Sequence, residues 1–137
     1  MSGSEKRSIS GPGVVSAIGP YSPAVQVGEW LYVSGQIPLN PETGEMENVL
    51  VDRAAEQVMQ NLKAVLSAAG CDFGDVVKST IYLVDLKDFE VVNEVYERYV
   101  QEPYPARATV QVAALPKEAL LEIDLIAHCS TDTGEPS

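Results

Sequence analysis

The chain has 137 residues, 45% of them hydrophobic, and a formal net charge of −11. That composition suits one globular domain with a single core. It argues against a nucleic-acid partner, because such binders cluster Lys and Arg to displace counterions from phosphates and here nine basic residues are spread along the chain. No apolar run approaches the roughly 20 residues of a membrane span. The N-terminal MSGSEKRSIS lacks the apolar segment of a secretory signal, so the cytosol is the expected setting.

In chain order, residues 1–12 are polar, with Gly11 and Pro12, and read as a flexible or edge segment. One domain is expected over 13–129, and 130–137 have the composition of a disordered tail. AVQVGEWLYVSG predicts two strands around Gly28-Glu29, where glycine at the first turn position suits a type II′ hairpin. A loop follows, broken by Pro38, Pro41 and Gly44. A helix is predicted from about Asp52, its N-cap, to Ala69, with Gly70 as the stop. Its apolar stripe is Ala55, Val58, Met59, Leu62, Val65, Leu66 and Ala69.

Val76–Val84 predicts a strand, being rich in β-branched and aromatic residues. A second helix starts near Asp88, buries Phe89, Val92, Val95 or Tyr96, and Tyr99, and stops before Pro103. Strands over Ala106–Ala114 and Leu120–Cys129 complete the domain around a turn at Leu115, Pro116 and Lys117. The order β-β-α-β-α-β-β with two amphipathic helices implies an α+β layer, one sheet with both helices on one face.

Cys71 and Cys129 have no metal or disulfide spacing and are expected to be free thiols in a reducing compartment. With one histidine, no CxxC and no HExxH, no metal site is expected, and His128 reads as a packed or solvent-facing residue.

PARATVQV, residues 105–112, raises the functional question, because an arginine stands there between two alanines. Alternation puts Ala106, Ala108, Val110 and Val112 on one side, and Arg107, Thr109 and Gln111 on the other. In the final strand Leu121, Ile123, Leu125 and Ala127 face the helices, and Glu122, Asp124, Ile126 and His128 face away. If the last two strands pair, Arg107 and Glu122 share the helix-free face. They are then either a solvated cross-strand ion pair, worth under about 1 kcal/mol, or parts of a site.

The stretches AIGPYSPAV, VSGQIPLNPETGE, AAGCDFGDVVKSTIYLVDLKDF, VNEVYERY and PARATVQVAALPKEALLEIDLIA bear on that choice. Over Ala17–His128 the chain resembles the RidA family, the YjgF-type proteins also labelled L-PSP endoribonucleases. The resemblance implies a chorismate-mutase-like fold and a homotrimer whose helix-free sheet faces meet, with clefts between subunits. It implies hydrolysis of enamines and imines such as 2-iminobutanoate and 2-iminopropanoate to 2-oxo acids and ammonia, without cofactor or metal.

Carried over by motif, Arg107 clamps the substrate carboxylate, a bidentate task for which a guanidinium is suited and a lysine is not. Glu122 positions and activates the attacking water, and Tyr21 lines the cleft. Ser34 and Gly35 supply pocket wall and polar contacts, and Asn93 stands at the cleft edge. Thr109 is placed with these among the substrate-binding residues; many members carry cysteine at its position, so thiol chemistry is not expected there. Each assignment has a plainer rival: Tyr21 as a packing aromatic beside a turn, Gly35 as a backbone necessity, Asn93 as a helix-face amide. The rival functions are RNA cleavage, which the acidic charge disfavours, and a metabolite-binding regulatory trimer without turnover.

Overall fold

The computed structural model describes residues 5–130. The tail expected over 130–137 lies, apart from Ser130, outside the described residues, as do residues 1–4 of the N-terminal segment. The elements are β1 (Lys6–Ser8), β2 (Ala24–Val27), β3 (Trp30–Gln36), α1 (Val51–Ala68), β4 (Val76–Leu83), α2 (Phe89–Glu97), β5 (Ala106–Gln111) and β6 (Leu121–His128). They form an α+β fold with one six-stranded sheet in the order β1-β2-β3-β6-β4-β5. Every neighbouring pair is antiparallel except β4 and β5.

The hairpin joining β2 and β3 turns at Gly28, whose φ is +60°. Its turn partner Glu29 is not in the positive-φ region, the type II′ signature, which matches the right-handed twist of the flanking strands.

Helix α1 forms where apolar residues recur at helical spacing, burying Ala54, Ala55, Val58, Met59, Leu62, Val65 and Leu66 against the sheet. Each fully buried large side chain contributes about 1.5–3 kcal/mol. The expected N-cap at Asp52 is corrected: the helix starts at Val51, and Leu50 is an N-cap without a side-chain bond. Asp52 lies in the first turn, where its carboxylate accepts from the Arg53 backbone N–H and meets the positive end of the helix dipole. The stop at Gly70 is a Schellman closure. Gly70 has φ +78°, its N–H donates to the Ser67 carbonyl, and the Cys71 N–H donates to that of Leu66.

That turn delivers Cys71 to the end of β6. The expected free thiols are not found: Cys71 and Cys129 are joined in a disulfide, their Cα atoms 5.6 Å apart. The 58-residue separation carries no pairing signal; the topology brings the two together.

Helix α2 buries Val92, Val95 and Tyr96, while Phe89 and Tyr99 are half-buried. On β6 the alternation holds, with Leu121, Ile123, Leu125 and Ala127 buried beneath the helices. The final strands are a second correction. They do not pair with each other, because β4 lies between them. Helix α2 connects β4 to β5, and a helical crossover makes strands parallel neighbours. The link from β5 to β6 instead passes through a 3₁₀ turn at Pro116–Glu118.

The parallel register sets Arg107 beside Ser79 on the helix side of the sheet. The helix-free face of β5 therefore carries Ala106, Ala108 and Val110, opposite to the expectation. That helix-free face continues across the sheet through Tyr82, Asp124, Ile126 and Tyr32, the last 48% exposed. Among the described residues no helix is long and apolar enough to cross a membrane.

Candidate functional site

Glu122 stands on β6 beside β3, where the pairing shifts register between Val33 and Gln36. This bulge holds Ser34 and Gly35, and such irregularities re-aim side chains at the rim of a sheet. The Ser34 backbone N–H donates to the Pro23 carbonyl at 2.9 Å, and its hydroxyl donates to the Ser22 carbonyl at 2.6 Å. The GPYSPAV segment is thereby tied to β3, with Tyr21 at the surface and 55% exposed. Tyr21, Ser34, Gly35 and Glu122 line one cleft, with Ile18 and Lys117 at its rim.

Gly35 is required by space. A Cβ there would collide with a Glu122 carboxylate oxygen and stand 2.7 Å from its Cδ. The missing side chain is what lets the carboxylate lie over the β3 backbone. Gly35→Ala is expected to leave the fold intact and displace Glu122, lowering any activity that uses this carboxylate by about 10²-fold, the usual cost of a misplacement near 1 Å. Steady-state turnover beside circular dichroism checks this; wild-type rates would show that Glu122 has room to spare.

Glu122 is half-buried, and burial pushes its pKa up, with the Asp124 carboxylate adding to the rise. Among the described residues no side chain donates a hydrogen bond to it. Asp124 is itself engaged, accepting from the Tyr82 hydroxyl at 2.9 Å. The result is a carboxylate poised to accept a proton, facing an open cleft.

Arg107 lies elsewhere. Its Nη1 donates to Asn93 Oδ1 at 2.7 Å, and its guanidinium stacks at 5.5 Å and 5.1 Å from the centroids of Phe89 and Tyr96. Arg107 and Asn93 line a second cleft with Tyr96, Val100 and Tyr104. The ion pair considered between Arg107 and Glu122 does not form within one chain. Two residues on, Thr109 Oγ1 is buried without a hydrogen-bond partner.

The site residues thus fall into two groups, with Thr109 lining neither of these clefts. Tyr21, Ser34, Gly35 and Glu122 come together, as do Arg107 and Asn93, and the two sets line different clefts.

Sequence reasoning missed the residues that fix the loop after β3. Asn61 is 1% exposed and donates to the carbonyls of Ile37 and Leu39 at 3.0 and 2.9 Å. Asn48 donates to the Glu118 carbonyl and accepts from the Leu120 N–H, pinning that loop to the start of β6. The signal for Asn61 was present, an amide within the apolar stripe of α1, where a buried polar group needs partners.

The family description "Endoribonuclease L-PSP" matches residues 13–129. The chain is similar to Protein DfrA of Myxococcus xanthus, 60% identical over 113 residues, spanning 81% of this chain and 86% of that one. It is similar to the 2-iminobutanoate/2-iminopropanoate deaminase of Homo sapiens, 46% identical over 127 residues and 93% of each chain. The crystal structure of RidA from the Antarctic bacterium Psychrobacter sp. superposes with a TM-score of 0.85 at 48% identity, covering 89% of this chain and 98% of that one. Fold, motifs and relatives agree: the chain belongs to the L-PSP endoribonuclease family, the RidA or YjgF-type proteins.

Proposed function

We propose that the protein hydrolyses small 2-imino acids, such as 2-iminobutanoate and 2-iminopropanoate, to 2-oxo acids and ammonia, in a cleft assembled between subunits of a homotrimer. The observation that carries the reading is that residues of complementary chemistry line two separate clefts of one chain. One offers a guanidinium for a carboxylate. The other offers a carboxylate of raised pKa for water, and a relative 46% identical bears the name of this activity. The helix-free face with Tyr32, Ile126 and Val110 needs cover, which a symmetric assembly supplies.

In this reading Arg107 grips the substrate carboxylate through its two-pronged fork, and Tyr21 and Ser34 wall the cleft. Glu122 takes a proton from water as the oxygen attacks the imine carbon. It returns that proton to nitrogen, giving a carbinolamine, and then carries the hydroxyl proton to the same nitrogen as the C–N bond breaks and the oxygen forms the C=O, so that ammonia and the 2-oxo acid leave. Placing water over an already electrophilic carbon supplies much of the rate. No residue set of the described chain is required to hold a cofactor for these steps. The proposed setting is the cytosol, with the cross-link between Cys71 and Cys129 buried away from cellular thiols.

The test is ammonia release from freshly generated 2-iminobutanoate, with Arg107→Lys alongside. Wild type should accelerate release, and Arg107→Lys should raise KM about 10–100-fold, the worth of a charged bidentate contact. No acceleration by wild type, or RNA cleavage in its place, would overturn the reading.

A further inference from the structure

Arg107 sits on β5, the outermost strand of its sheet edge, where a long cationic side chain ordinarily samples many rotamers. Here it does not have that freedom, because one helix face receives it. Phe89, Asn93 and Tyr96 recur at helical spacing along α2, and all three touch the guanidinium. Asn93 takes one donor, which leaves the remaining N–H groups to face the cleft.

Tyr96 differs from Phe89 in how it is held. Its side chain is almost wholly buried, and its hydroxyl shares a 2.6 Å hydrogen bond with the Ser79 hydroxyl, itself 0% exposed. Ser79 is the register partner of Arg107 across β4 and β5. The arrangement closes on itself: the strand pair sets Ser79 beside Arg107, Ser79 fixes the Tyr96 ring, and the ring lies against the guanidinium. Two hydroxyls buried in an apolar core gain little net stability over well-packed apolar residues of similar size. What they add is direction, since the bond fixes where the ring lies.

We propose that Tyr96, held by Ser79, is a positioning residue that orients the Arg107 guanidinium toward a substrate carboxylate. This rests on the reading of Arg107 as the carboxylate clamp, so the experiment has one arm that depends on that reading and one that does not.

The independent arm is nitrogen-15 NMR of the arginine side chains in the intact protein. A held guanidinium gives Arg107 Nη signals split by slow rotation in wild type. Tyr96→Leu should collapse them, and Tyr96→Phe and Ser79→Ala should each broaden them. The dependent arm is calorimetric titration with 2-oxobutanoate and with its neutral amide, 2-oxobutanamide. Tyr96→Leu should weaken 2-oxobutanoate about 5-fold, the upper range of an exposed cation–π contact, while the amide is unaffected. Tyr96→Phe and Ser79→Ala should each weaken it about 3-fold, and the double variant no further, as residues acting through one bond do. KM should rise in step with kcat nearly unchanged, which a merely structural lesion would not produce. Unaltered Arg107 signals in both Tyr96→Phe and Ser79→Ala, or additive losses in the double variant, would overturn the positioning role. Wild type that fails to bind 2-oxobutanoate while its Arg107 signals stay resolved would overturn the clamp, and with it the purpose assigned to Tyr96.

Discussion

Glu122→Gln is expected to lower kcat by about 10²–10⁴-fold, the range for losing a general acid–base, while 2-oxobutanoate binding stays within a few-fold. The amide keeps the shape that fits over Gly35 but cannot take a proton from water. Because burial and Asp124 hold the Glu122 pKa above the ordinary carboxylate range, the working base form is lost at a higher pH than an ordinary glutamate would give. The kcat/KM profile should therefore fall as pH drops through that raised pKa, and the Glu122→Gln residual rate should lack this acid limb. Rates measured from acid to neutral pH, beside calorimetric titration, check both points. A Glu122→Gln enzyme with wild-type turnover would remove Glu122 from the mechanism.

The second large effect is on stability. The bond from Cys71 to Cys129 closes a loop spanning 58 residues of sequence, and a loop of that size restricts the unfolded chain by about 4 kcal/mol. Cys71→Ser/Cys129→Ser, or reduction of the native protein, is expected to lower the melting temperature by roughly 10 °C or more for a domain of this length. The core of α1 and the sheet does not depend on the link, so the fold should persist. Thermal unfolding with and without reductant is the measurement, with the thiol content of the unreduced protein counted in parallel. Two titratable thiols in protein purified without reductant would contradict the cross-link.

How much the sequence disclosed depended on what kind of signal each feature leaves. Helix α1 and strand β6 were legible because both bury one face against the same layer, so 3.6-residue and two-residue periods coincide with burial. Strand β5 misled for the converse reason. Alternation divides a strand into two faces without saying which is inside. On this edge strand the small apolar set, Ala106, Ala108 and Val110, lies on the helix-free side, while Arg107 turns to α2. The connection order held the needed clue, since a helix between β4 and β5 demands a parallel pair. The partnership of Ser79 with Tyr96 was harder, because a buried polar contact across 17 positions leaves no periodic trace; for Asn61 the helical period marked the residue but not its partners. The motif residues Tyr21, Ser34, Gly35 and Glu122 line one cleft. Their separation from Arg107 within one chain was not readable from spacing.

That separation gives the most direct test of the central claim, that each active cleft draws Arg107 from one subunit and Glu122 from another. Arg107→Ala and Glu122→Gln chains, each nearly inactive alone, are unfolded together and refolded as a mixture, with mixed assemblies confirmed by native mass spectrometry. In an equal mixture, random assembly gives about one cleft in four both intact residues, so ammonia release should recover to about a quarter of wild type. Activity that stays at the average of the two parents in confirmed mixed assemblies would contradict the shared cleft.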